Sequence, residues 1–196
     1  MLTRRAATTM LSGIAAAPSF AWAAGSGPAA VFYDAVGPKL TCWHADIANA
    51  TLEPQGSITA PALIQYAWRH PTKLVLYVAS SNFVPMGQPD GKHHLTAFRI
   101  DAANGALSPL GEPVAIRARQ INITADAAGH WLLTAYNLPS MMSVHPIQHD
   151  GGIGEEIKQS APIYAHQIRM MPTNNASYWS RAATIQQRQN PKIPAP

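Results

Sequence analysis

The sequence predicts an all-β fold: a partial β-propeller of about two and a half to three four-stranded antiparallel blades, followed by a disordered tail. Three observations predict it. A segment of the chain recurs at a fixed offset. Each copy alternates apolar and polar residues between turn residues, the period-2 signature of strands. No helical periodicity separates the strands, so a parallel α/β arrangement is excluded.

The repeat is read first. Leu40–Asn82, moved forward by 55 positions, lands on Leu95–Asn137 without a gap. Leu40-Thr41 falls on Leu95-Thr96 and Trp43 on Phe98. Asp46-Ile47-Ala48-Asn49 falls on Asp101-Ala102-Ala103-Asn104, and Tyr66/Trp68 on Ile121/Ile123. A third copy starts at an offset of 47, where Gln120-Ile121 falls on Gln167-Ile168 and Arg119 on His166. Repeats of this length, with about four strands each, have the grain of propeller blades. A β-sandwich is the structural rival, but it has no reason to repeat at a fixed offset.

A lead strand is expected near Val31–Val36. Within the second copy, Leu95–Asp101 alternates. Asn104-Gly105 then reads as a type I′ hairpin, in which both central residues need positive φ. Gln120–Ala125 alternates again. Trp131–Tyr136 is a nearly continuous apolar run, expected for an inner strand buried on both faces. Repeat units bury their cores against neighbours. A stack of so few blades leaves one blade face exposed, and that face is expected to self-associate.

The two ends depart from this texture. Arg4-Arg5, the small apolar stretch Met10–Ala17 and Ala21-Trp22-Ala23 read as an export signal over residues 1–23, cleaved after Ala23. The paired arginines also resemble a twin-arginine signal. A periplasmic or secreted location follows, without membrane anchoring after cleavage. The folded part is expected over 24–175. Residues 176–196 are rich in Gln and Pro and read as disordered. Codons can be chosen for Arg181–Pro196 that, in another frame, spell a propeller-like sequence beginning Arg-Gly-Asn-Asp-Ser. A frameshift near residue 176 with early termination is therefore expected, against a naturally short chain with a disordered tail.

Charge narrows the function. The net charge of +4 comes from the ends, where Arg4, Arg5, Arg181, Arg188 and Lys192 lie. Residues 24–175 hold nine Lys/Arg against ten Asp/Glu. A nucleic-acid binder carries its basic patch in the folded part, so none is expected here. The single cysteine, Cys42, reads as a small buried hydrophobe. His93-His94 are adjacent and face opposite sides of a strand, and His145 and His149 span a strand and a turn. No metal site and no cofactor is expected from these spacings.

The stretch Leu-Thr-Ala-Phe-Arg-Ile-Asp-Ala-Ala-Asn-Gly-Ala-Leu at 95–107 resembles the blade opening of the seven-bladed lactonase propellers, of the 6-phosphogluconolactonase and carboxymuconate cyclase type. So do Ala135-Tyr136-Asn137, Val144-His145-Pro146-Ile147, and Ala165-His166-Gln167-Ile168 followed by Pro172. The resemblance covers about residues 31–175, the N-terminal portion of such a ring. It implies a site in the central channel, built from a histidine, which His166 matches, and from arginine and glutamate residues of later blades. It also implies a lactonase acting on a small lactone.

Lactone hydrolysis needs a base to activate water and positive groups to steady the oxyanion. His166 suits the base role, or it is a strand-end histidine bonded to backbone. Arg119 offers forked donors to an anionic lactone or phosphate, or it is a surface ion pair. Asn82 and Asn137 end corresponding strands and line a channel mouth, or they are turn residues. The functional expectation is an exported, truncated lactonase-like propeller hydrolysing a sugar lactone or related cyclic ester. The alternatives are a non-catalytic binding scaffold and a pseudogene fragment.

Overall fold

The computed structural model describes residues 29–47, 49–82, 91–136, 139–159, 165–170 and 177–181. Within them the chain forms fourteen strands and no helix. The first sheet holds β1 (Ala29–Val36), β2 (Lys39–Asp46) and β3 (Thr51–Thr59) in that order. The second holds β4 (Ile64–Arg69), β5 (Val75–Ser81), β6 (His93–Ile100) and β7 (Leu107–Pro109), with β8 (Val114–Ala115) pairing β6 further along. The third runs β9 (Gln120–Ala125), β10 (Trp131–Tyr136), β11 (Met141–Pro146) and β12 (Ile157–Gln159). The fourth pairs β13 (Ala165–Met170) with β14 (Ser177–Arg181). Every pairing is antiparallel.

These sheets are portions of four successive blades. β4, β9 and β13, each the first strand of its sheet, lie side by side. They mark the hub, and the remaining strands run outward. In the first blade β1, β2 and β3 stand where β5, β6 and β7 stand in the second. A counterpart of β4 is missing there among the described residues.

Burial explains the apolar runs. Strand residues point alternately to two faces, and each face of a middle blade meets a neighbour. Leu76 and Val78 pack with Leu40, Phe98 and Ile100 between the first and second blades. Tyr77 and Ala79, the alternate residues of the same strand, pack with Leu95, Ile123 and Leu132 between the second and third. Leu133 and Ala135 then pack with Ile168 of the fourth. A strand with both faces covered has no polar side to show, so β5 is buried throughout. Each large apolar side chain so buried contributes about 1.5–3 kcal/mol.

Trp131–Tyr136 is the inner strand expected: it lies between β9 and β11 and is buried beyond its first residue, with β9 innermost at the hub. One expectation is corrected. The Asn104-Gly105 turn is not type I′. Gly105 has φ of 75°, while Asn104 is not among the positive-φ residues. The Asp101 carboxylate instead accepts from the amides of Ala103 and Asn104 at 2.7 and 3.3 Å, and the Gly105 amide donates to Asp101 O at 2.8 Å. That wraps a longer loop. Gly105 also needs to be glycine, because a Cβ there would overlap the Val31 side chain.

The tail expected from residue 176 includes one paired strand. Its residues Ser177–Arg181 form β14, paired to β13 from Met170↔Ser177 to Ala165↔Arg181. Backbone pairing to a neighbouring strand supplies order that composition alone did not announce. Residues 1–23, expected as an export signal, and residues 182–196 lie outside the described residues.

Candidate functional site

The hub strands share a local irregularity at one end. In β4, Ile64 opposes Ser80 and Tyr66 opposes Ala79, so Gln65 is an extra, bulged residue. In β9, Gln120 opposes Tyr136 and Asn122 opposes Ala135, which makes Ile121 the extra residue. In β13, Ala165 opposes Arg181 and Gln167 opposes Ser180, so His166 is the extra one. A bulge twists its strand and re-aims the bulged side chain. Three bulges at the starts of three adjacent hub strands place Gln65, Ile121 and His166 in one tier at the mouth of the hub.

This register revises a sequence equivalence. The gapless offset of 47 pairs Arg119 with His166, whereas the bulges pair His166 with Ile121. The gapless slide misses the point where each strand absorbs its extra residue. Arg119 nonetheless lies beside this tier, immediately before β9, and is exposed. Its Nε and Nη2 both donate to Gln65 Oε1, at 3.0 and 2.7 Å. Gln65 Nε2 in turn donates to Leu63 O at 3.1 Å. His166 is exposed in the second position of β13.

Asn82 follows β5 at the same end, set back one strand from the hub. It is exposed, and its amide donates to Lys92 O at 3.1 Å. Asn137, its counterpart, lies outside the described residues. Of the four residues expected at the site, the structure therefore places Arg119 and His166 at the mouth and Asn82 behind them. Gln65 was missed. The gapless offset hides it, setting Gln65 against Gln120, whereas its bulge places it with Ile121 and His166.

The tier rests on a buried polar floor. Gln120 is fully buried; its Oε1 accepts from Ser81 Oγ at 2.7 Å and its Nε2 donates to His94 O at 3.4 Å. Burial, with the neighbouring His93 and Lys92, holds His94 below the ordinary histidine range. Asn122 Oδ1 accepts from the Ile168 amide at 3.0 Å, tying β9 to β13 through a side chain. Deeper along the hub, the Arg169 guanidinium lies over the Trp68 ring, 4.6 Å from its centroid.

Two buried histidines serve structure. His70 Nδ1 accepts from the amides of Thr72 and Lys73 at 3.1 and 2.9 Å, and its Nε2 meets Gly129 O at 3.2 Å. Accepting at Nδ1 requires the neutral ring, with the proton on Nε2. In the next blade the Asp126 carboxylate does the same work, accepting from the amides of His130 and Trp131. His145 Nδ1 donates to Gly154 O at 3.0 Å, and its Nε2 joins Ser143 Oγ and Tyr136 OH in a buried chain. Burial pushes both imidazoles below their ordinary range.

Glu156 forms a two-pronged ion pair with Arg117, while Glu155 is exposed, so the two carboxylates make no acid–base pair. Cys42 is buried, its thiol directed at Asn104 O. No group of three His, Cys, Asp or Glu able to hold a metal occurs among the described residues.

With this geometry in place, the chain can be compared with known proteins. The family profile described as "Lactonase, 7-bladed beta-propeller" matches residues 31–176. Among solved structures, the periplasmic gluconolactonase of Pseudomonas aeruginosa superposes with a TM-score of 0.63 at 17% identity, over 76% of this chain and 47% of that one. A protein from Lactobacillus plantarum superposes with a TM-score of 0.57 at 16% identity, over 78% of this chain and 48% of that one. A candidate 6-phosphogluconolactonase from Bacteroides fragilis gives 0.53 at 16%, over 71% and 38%. No curated protein sequence matches the chain. At these identities the likeness speaks for the fold, and the chain spans about half the length of the gluconolactonase, 47%.

Proposed function

The chain belongs to the seven-bladed β-propeller lactonase family, and from that membership we propose that it carries the hub mouth of an exported lactonase acting on a sugar lactone or related cyclic ester. The observation that carries this reading is the shared bulge register, in which His166 holds in β13 the place that Gln65, bonded to Arg119, holds in β4. His166 takes a proton from water as the water oxygen attacks the lactone carbonyl carbon. The carbonyl oxygen becomes an oxyanion. When the ring C–O bond breaks, the leaving alkoxide takes the proton and the open hydroxy acid results. Arg119 binds the anionic group of the substrate or steadies the oxyanion.

Export supports an extracytoplasmic lactone as substrate, since the leader over residues 1–23 ends in Ala21-Trp22-Ala23. Mass spectrometry of the processed N-terminus checks this, with Ala24 expected first. The face of β1–β3 that the described residues do not cover is proposed to associate with a second copy.

The test is hydrolysis of a gluconolactone by the purified chain. His166→Ala is expected to lower kcat by roughly a hundred- to ten-thousandfold, and Arg119→Ala to raise KM. Hydrolysis indifferent to His166→Ala sinks the catalytic assignment. Ligand binding without hydrolysis makes the chain a scaffold.

A further inference from the structure

We propose that Gln65 is a positioning residue, which sets the direction of the Arg119 guanidinium at the hub mouth. The inference rests on the reading of Arg119 given above, and the geometry of the contact carries it further. Gln65 occupies in β4 the same bulged place that His166 occupies in β13, so the backbone device that presents the histidine also presents the glutamine.

The contact is directional. One carboxamide oxygen receives both Nε–H and Nη2–H, at 3.0 and 2.7 Å. Two donors of one planar group on one acceptor fix the plane of the guanidinium as well as its distance. The side-on Nε/Nη2 edge is thereby committed to Gln65, and the end-on Nη1/Nη2 fork is aimed by it. The acceptor itself is held, because Gln65 Nε2 donates to Leu63 O in its own strand entry. The contact joins the second blade to the third. A long exposed side chain otherwise samples many rotamers, and fixing it beforehand removes that ordering cost from ligand binding. Neutral glutamine does this without cancelling the arginine's charge, as a carboxylate would.

The experiment uses the full chain and four variants: Arg119→Ala, Gln65→Leu, Gln65→Glu and the double variant Gln65→Leu/Arg119→Ala. Gluconolactone KM and kcat are read, and hydrogen exchange at Arg119 Nε is followed by nitrogen-15 NMR. A hydrogen bond to a charged group is worth about a tenfold change or more in an equilibrium. Gln65→Leu is therefore expected to raise KM about tenfold with kcat nearly unchanged. Gln65→Glu retains the acceptor and restores Nε–H protection. The double variant is no worse than Arg119→Ala alone, because a positioning residue has nothing left to position.

If Arg119→Ala leaves KM unchanged, the role given to arginine above fails. If Arg119→Ala raises KM and Gln65→Leu does not, or if the two changes multiply in the double variant, the positioning role of Gln65 fails alone. An Nε–H that exchanges as fast in the wild type as in Gln65→Leu overturns the proposal whatever the ligand does.

Discussion

The guanidinium of Arg169 lies over the indole of Trp68, 4.6 Å from the ring centroid, so that β13 grips β4 across the intervening β9. Both side chains are half-buried, and a partly desolvated cation–π contact contributes about 0.5–2 kcal/mol. Arg169→Ala is expected to lower stability by about that amount, read as a shift in the urea midpoint by tryptophan fluorescence. Arg169→Lys should lose less, because it keeps the charge and loses only the planar stacking. An unchanged midpoint for Arg169→Ala would show that the fourth blade holds without this clasp.

Acid should loosen the fold before it touches the carboxylates. His70, His94 and His145 all sit below the ordinary histidine range, chiefly through burial. The unfolded chain therefore binds protons, from about pH 6.5 downward, that the folded chain refuses. Their contribution to stability is complete above that pH and is lost as the pH falls toward the folded-state values. His70 adds a geometric reason, since a proton on Nδ1 would face the amides of Thr72 and Lys73. Urea midpoints should decline from pH 7.5 to 5.5. His70→Asn, whose amide can accept without titrating, should flatten part of that decline. A midpoint level across this range contradicts the burial of all three rings.

Two glycines with nearly the same backbone should behave differently. Gly129 and Gly111 have φ of +72° and +73°, a conformation that costs an ordinary residue roughly 1–2 kcal/mol. Nothing lies within 4 Å of a Cβ built at Gly111, but at Gly129 it runs into the His70 imidazole. Gly111→Ala should therefore cost only the backbone penalty. Gly129→Ala should cost at least twice as much, because the ring must leave Gly129 O as well. Equal losses for the two variants would mean that the His70 clamp yields freely.

Much of the fold was written in the sequence because blade packing imposes a pattern on every residue of a strand. Leu76-Tyr77-Val78-Ala79 is apolar on successive positions because one face meets the preceding blade and the other the following one. The site was less legible. A bulge displaces one residue and leaves no mark in composition, so the gapless alignment set His166 against Arg119 instead of Ile121. The Gln65 contact joins residues 54 positions apart in the chain, beyond any local pattern. His70 leaves no mark in the sequence of the turn it closes, as Asp126 closes the next one.

The outward face of the first blade is the remaining liability. Phe32 and Trp43 stand directly opposite in the β1–β2 ladder and stack at 6.3 Å with 10° between their planes. Leu52 follows on the same face of β3, opposite Ala45. Trp43 occupies the place that Phe98 holds one repeat later. There the neighbouring blade covers the corresponding pair Leu76 and Phe98, 6% and 3% exposed, whereas Phe32 is 39% exposed. A face whose equivalent is a blade interface, and which the described residues do not cover, is expected to take a second copy of the chain. Sedimentation velocity should show association that grows with concentration, and Phe32→Ser with Trp43→Ser should abolish it while the far-ultraviolet circular dichroism stays that of a β protein. A wild-type chain that sediments as a monomer at every concentration, with this stack exposed, refutes the second copy as its occupant.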